Sequence, residues 1–359
     1  MPARILPAPI LIIAAVVAAC TPSATDRPPT GSVPVATIAP SPAATPPATG
    51  PGQPGATAQG SQAVALPTFR SDAWTRIDDA PASLTEVAAT AHQGRIWVAG
   101  GLGSDGAADD RVFVFDPRTG AWASGPRLPE GVHHAVLVSA GMDLYLIGGY
   151  GGSLGGSPTA AVRRLDENVG RWVDGPTLPA ARGAGAAAWD GARVVFGGGV
   201  STSGVSREVW VLEGGAWRVV GALSRAREHL GATSDGQGRA WFLGGRAQSL
   251  AANVGTIEIV EGNAIRAAAA GLTPRSGVAA FWSPASGACL AGGEGPAGTH
   301  AEVECVSADG RVTVHPRLGV SRHGVGAAVV EGVAYVVLGG EQPGLFVSAV
   351  VEAIALASR

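Results

Sequence analysis

The sequence predicts an all-β protein assembled from repeats, and three observations carry that prediction. Apolar runs of strand length alternate with turn signals from about residue 70 to the end of the chain. A Gly-Gly pair closes such a run six times, starting at Gly100, Gly148, Gly197, Gly244, Gly292 and Gly339, at intervals of 47 to 49 residues, with the third register open because Gly197, Gly198 and Gly199 are consecutive. A Trp just after a glycine-bearing turn marks Trp74, Trp122, Trp172 and Trp217, and the mark degenerates to Ile265 and Val312 at intervals of 45 to 50 residues. The two series alternate strictly along the chain, as they would if each period were one structural unit.

Residues 133–178 show what the unit contains. Two apolar runs, Ala135–Ser139 and Leu144–Ile147, flank the turn signal Ala140-Gly141. A third run goes from Ala161 to Asp166 and a fourth carries Trp172. Four short strands make one antiparallel sheet that is too small to bury both faces alone, so neighbouring units must stack. A period near 50 with four strands resembles the Kelch repeat of β-propellers, and RIWVAGG…RVFVFDPRTGAW (95–122) matches that pattern best. Six marks of each kind predict six four-stranded Kelch-type blades. The Trp at 74 has no Gly-Gly partner before it, and the last Gly-Gly is followed by one strand (Ala349–Leu356) and no Trp. The N-terminal strand is therefore expected to complete the last blade and close the ring.

Composition agrees and excludes several functions. There are 54 Gly in the chain without collagen's spacing, as many tight turns require. The formal net charge of −3 provides no basic field for nucleic acid. No Lys occurs, so neither a P-loop lysine nor a Schiff-base lysine is present.

In chain order, residues 1–20 have a basic start at Arg4, an apolar core Ile10–Ala19 and Cys20. The apolar run has the length of a signal peptide rather than of a membrane span. Val17-Ala18-Ala19-Cys20 resembles a bacterial lipobox, which implies lipid attachment at Cys20, membrane anchoring and an extracytoplasmic location. Residues 21–68 are rich in Thr, Ala, Pro and Gly, carry only Asp26 and Arg27 as charges, and read as an unfolded stalk. The propeller is expected over 69–359 as a monomer. Cys289 and Cys305 fall in the second and third strands of the fifth unit, antiparallel neighbours in an oxidising compartment, where a disulfide is expected.

Local chemical motifs are weak. Gly101–Gly106 matches GxGxxG and Gly151–Gly155 matches GxSxG, but neither opens a helix, so both are expected to be loops. No HExxH or CxxC occurs, and no metal or other cofactor is expected. His133 and His134 are adjacent on one strand and should point to opposite sides. None of Tyr145, Tyr150 and Tyr335 lies beside a His cluster in sequence, so a galactose-oxidase-like copper set has no match.

One constellation remains: His92, His133, His134, Arg182, Arg227, His229, Arg275, Arg322 and His323 sit just before or within the first strands. In Kelch propellers the first strand lines the central channel, and family members bind ligands with arginines from the stretch matched here by Arg182, Arg227, Arg275 and Arg322. The resemblance implies a ligand site of these arginines with His133, His229 and His323, suited to an acidic glycan or peptide. The expected function is a non-enzymatic, lipid-anchored protein- or glycan-binding module. The alternative is anomer interconversion of the sialic acid mutarotase type, with Glu228 as base.

Overall fold

The computed structural model describes residues 67–357; the expected signal peptide, Cys20 and nearly all of the stalk lie outside them. Six four-stranded antiparallel sheets follow one another around a central axis. The first blade runs outward through Ala88–His92, Arg95–Ala99, Val112–Asp116 and Ala121–Ser124. The innermost strands of the other blades are Val136–Ala140, Ala186–Trp189, Gly231–Ser234, Ala279–Ser283 and Gly326–Val330. Each packs beside the next, and the last beside the first. The sixth blade is completed by Thr75–Arg76, which pairs antiparallel with Val351–Ala355. The expected closure is therefore present.

Why these sequences form these blades follows from their burial. Second strands meet a neighbouring blade on both faces and read as continuous apolar runs. Gly287–Ala291 and Val333–Val337 are buried at every position. Innermost strands alternate between buried and half-buried residues, one set packing on the blade and the other lining the channel. The core is divided into six apolar layers, one between each pair of adjacent blades; Phe113, Phe115, Tyr335 and Val351 share one of them.

The Gly-Gly mark is an inter-blade staple. Gly100 takes φ +65°, and a Cβ there would lie 2.3 Å from the Val132 carbonyl oxygen of the next blade. That carbonyl accepts the Gly101 N–H at 2.9 Å. The same bond recurs from Gly149 to Arg182, Gly199 to Arg227, Gly245 to Arg275 and Gly293 to Arg322. In the third blade, where three glycines are consecutive, the stapling pair is thus Gly198-Gly199. In the sixth it is Leu338-Gly339, with Gly339 N–H donating to Leu84 O and Leu338 itself at φ 57°. The Trp mark staples the outer edge: Trp74, Trp172 and Trp217 donate Nε1–H to the carbonyls of Pro316, Pro126 and Pro176 in the preceding blades, at 3.0, 2.9 and 2.7 Å.

Cys289 and Cys305 are directly opposite in the second and third strands of the fifth blade and are joined by a disulfide. Gly101–Gly106 lies in a connection between strands, Gly151–Gly155 runs from the short strand Tyr150–Gly151 into the following connection, and no helix follows either directly.

Candidate functional site

The site is built by one backbone conformation repeated six times. Immediately before each innermost strand, one residue adopts left-handed φ: Glu86 (54°), His134 (53°), Ala184 (53°), His229 (52°), Gly277 (63°) and Gly324 (59°). Their peptide groups bond around the axis. His134 N–H donates to Glu86 O, Ala184 to His134, His229 to Ala184, Gly277 to His229 and Gly324 to Gly277, at 2.8 to 3.1 Å. Val87 N–H closes the circle on Gly324 O at 3.4 Å. This ring forms one mouth of a channel of about 610 Å³, whose walls include Ala89, Leu137, Ala187, Ala232, Ala280 and Ala327.

A second ring surrounds the first. The residue preceding each left-handed position bridges to the residue just past each blade's stapling pair: Thr85 to Leu102, His133 to Tyr150, Gly183 to Val200, Glu228 to Arg246, Ser276 to Glu294 and His323 to Gly340. These two rings bring Glu86, His133, His134, Tyr150, Glu228, His229, Arg246, Glu294 and His323 together at the mouth.

Their hydrogen bonds fix most of the protons. His133 Nε2 meets the Ser153 carbonyl at 3.3 Å and must donate to it, leaving Nδ1 as acceptor for the Nδ1–H of His134. His134 Nε2 is then a bare lone pair, 3.3 Å from Glu86 Oε2. His229 donates Nδ1–H to the Glu228 carboxylate, and its Nε2 accepts from Arg246 Nη2 at 3.2 Å. Arg246 also donates to Glu228 Oε1 at 2.7 Å, Glu294 Oε1 at 2.5 Å and Ser276 Oγ at 3.2 Å. His323 Nε2 donates to Gly344 O at 3.0 Å and lies 3.6 Å from Glu294 Oε2.

Burial and charge set the protonation states. Burial pushes His134 down to about 3, against the attraction of Glu86, so the ring is neutral near pH 7. Burial opposes ionisation of Glu86, but His134, His229, His323 and Arg246 together hold it at about 2. Glu228 is likewise held at about 2, burial being outweighed by His229 and Arg246. Burial, with the charge of Glu228 adding to it, pushes Tyr150 up to about 12.

The four matched arginines are elsewhere. Arg227, Arg275 and Arg322 are fully buried and Arg182 is 4% exposed, and none lines the channel. Arg227, Arg275 and Arg322 pair with Glu258, Glu304 and Glu352 in the third strands of their own blades. Arg322 also donates to the Leu338 and Val350 carbonyls at 2.6 and 2.8 Å. Arg182 lies over the Trp210 ring at 4.4 Å and reaches Glu208. The left-handed residue is the reason. It swings the chain so that the side chain at that position enters the mouth, while the Arg two residues earlier points back into its blade.

Of the other expected residues, His229 faces the mouth, and His133 and His323 support it from the second ring. His92 does not: it sits at the far end of its strand, bonded to Ser139 Oγ at 2.8 Å and Glu167 Oε1 at 3.0 Å. His133 and His134 do not point to opposite sides, because His134 is left-handed and strict alternation fails there. Tyr150 does lie beside a His cluster, stacked on His133 at 5.3 Å and edge-on to His134 at 5.5 Å. Glu86, Tyr150, Arg246 and Glu294 were not singled out as ligand groups by sequence reasoning. The last three share one legible signal, a large polar residue directly after Gly-Gly.

Comparison with known proteins supports a Kelch-repeat propeller. A Kelch motif is matched over residues 84–129, which is the first blade and its approach. Human Kelch-like protein 34 is 32% identical over 152 residues, 38% of this chain and 23% of that protein, so the chain spans less than a quarter of that relative's length. The solved structure of YjhT is similar in fold, with a TM-score of 0.65 at 14% identity over 76% of this chain and 95% of that one.

Proposed function

We propose that the chain is a binding propeller, anchored to the cell envelope through Cys20, that takes a protein or glycan ligand at the polar mouth of its channel. One observation carries the reading. The fold itself uses Gly at two of the six left-handed positions and Ala at a third. A non-Gly residue there costs roughly 1–2 kcal/mol. Placing Glu86, His134 and His229 in that strained backbone adds nothing the ring needs, so their side chains are the reason for their presence.

The ligand chemistry differs from the sequence expectation. The four arginines are neutralised inside their blades, and at the mouth Arg246 alone faces the carboxylates of Glu86, Glu228 and Glu294. Such a mouth favours hydroxyl-rich or cationic groups over an acidic glycan or peptide. A glycan and peptide array probed with wild type and His134→Gly tests this. Binding of neutral or basic probes that the variant loses supports the site; equal binding by both proteins removes it. Anchoring is tested separately, since Cys20→Ser should move the protein out of the membrane fraction.

Anomer interconversion is the second reading, and the Glu228–His229–Arg246 contacts are what favour it. A carboxylate held at about 2 is a weak base at neutral pH, which counts against it. Acceleration of anomer exchange of an acidic sugar, lost in Glu228→Gln, would restore it.

A further inference from the structure

We propose that Glu86, His134 and His229 form a binding site for a divalent transition-metal ion, zinc being the best match, at the channel mouth. One ligand atom from each of the three residues lies within 4.8 Å of the others. Two imidazoles and one carboxylate are a zinc-type donor set, with a remaining coordination position that faces the channel.

The hydrogen bonds favour an ion over a chance cluster. Both imidazoles are oriented from behind, His229 by the Glu228 carboxylate on Nδ1 and His134 by His133 on Nδ1. In each case Nε2 is the nitrogen left for an ion, free in His134 and held by the Arg246 guanidinium in His229, and the carboxylate behind His229 is the usual second partner of a metal-bound imidazole. The contact between Glu86 Oε2 and His134 Nε2 has the spacing of two ligands of one ion. With the His134 proton on Nδ1 and donated to His133, two lone pairs face each other at 3.3 Å. Two ligand atoms each about 2.05 Å from a tetrahedral ion lie about 3.3 Å apart. Three carboxylates, those of Glu86, Glu228 and Glu294, share the mouth with the single guanidinium of Arg246.

Arg246 is the competing element. Its Nη2 donates to His229 Nε2, and ion binding takes that lone pair from it. The guanidinium keeps its bonds to Glu228, Glu294 and Ser276. His229 is therefore the ligand that must turn from a hydrogen bond to the metal.

The test uses the untagged full chain, stripped with a chelator and titrated with zinc(II) by calorimetry and with cobalt(II) by visible absorption. One equivalent should bind, and cobalt should give the intense d–d bands of a four- or five-coordinate nitrogen–oxygen site. Glu86→Gln, His134→Gly and His229→Gly should each weaken zinc binding by about 100-fold or more, and Glu228→Gln by about 10- to 100-fold. Glycine is chosen because the fold places it at the matched positions Gly277 and Gly324, and melting curves confirm that each variant is folded. No stoichiometric binding by wild type overturns the proposal. So does binding that survives all four substitutions in folded protein, since the ion then sits elsewhere. The titration uses the metal alone, so its outcome is independent of whether a protein or glycan docks at the mouth.

Discussion

At the scale of single residues, the same stretch serves two purposes that the sequence does not separate. Arg227, His229, Arg322 and His323 stand within three positions of one another in their units, yet the arginines hold blades together while His229 faces the channel. Removing Arg322 leaves Glu352 buried without its cationic partner and takes a donor from the Leu338 and Val350 carbonyls, of which Val350 keeps the Leu338 N–H, so Arg322→Ala should cost about 3–5 kcal/mol. Arg182→Ala should cost less, because Glu208 is 49% exposed and can be solvated. Chemical denaturation of both variants checks the order, and equal losses would refute it. Acid sensitivity is also set here. In the chelated protein, His134 titrates near 3 when folded and near 6.5 when unfolded, so the unfolded chain binds the extra proton between those values. Stability should fall as pH drops from about 6.5 toward 3. Glu86 and Glu228, depressed to about 2, add a loss that begins below their unfolded value near 4.5. Melting temperatures against pH for wild type and His134→Gly should diverge in the upper part of that window, and parallel curves would exclude His134 as the cause.

Among elements, the strands were legible because each carries an unambiguous local signal. Apolar runs of five, Gly-Gly closures and the displaced Trp74 suffice to give the blades, their number and the shared last blade. What was not legible is the direction of the side chains at strand entry. A left-handed residue followed by two inter-blade bonds looks, in sequence, like the first residue of an alternating strand. Gly277 and Gly324 hint at positive φ, but His134 and His229 conceal it, and the bridges to Tyr150, Arg246 and Glu294 span 15 or more residues. The closing strand gives an element-scale prediction. Deleting residues 67–79 strips Thr75–Arg76 and Trp74 from the sixth blade and exposes Val351–Ala355 as an edge. The melting temperature should drop sharply and the protein should self-associate on a sizing column; an unchanged melt and a monomeric peak would show that the strand is dispensable. The Cys289–Cys305 bond acts within one blade and closes a loop of sequence separation 16. Reducing it should cost about 3 kcal/mol in the chain-entropy view. The melt of reduced, alkylated protein measures this.

For the whole molecule, closure makes six small sheets behave as one body, since every apolar layer lies between two blades and none faces an open end. The mouth ring carries a further property of that closure. Its N–H to O=C bonds all run around the axis in one rotational sense, as a peptide chain at a helix end does not. A peptide group carries a dipole of about 3.5 D. Vectors laid head to tail around a closed circle sum to almost nothing along its axis. A helix terminus offers a fixed partial charge to whatever approaches, whereas this backbone offers the channel none. The side chains, rather than this ring, therefore set the potential at the mouth. Exchanging Glu86, His134 or His229 for residues of other charge would change the sign of the preferred ligand and leave the ring's own contribution where it was.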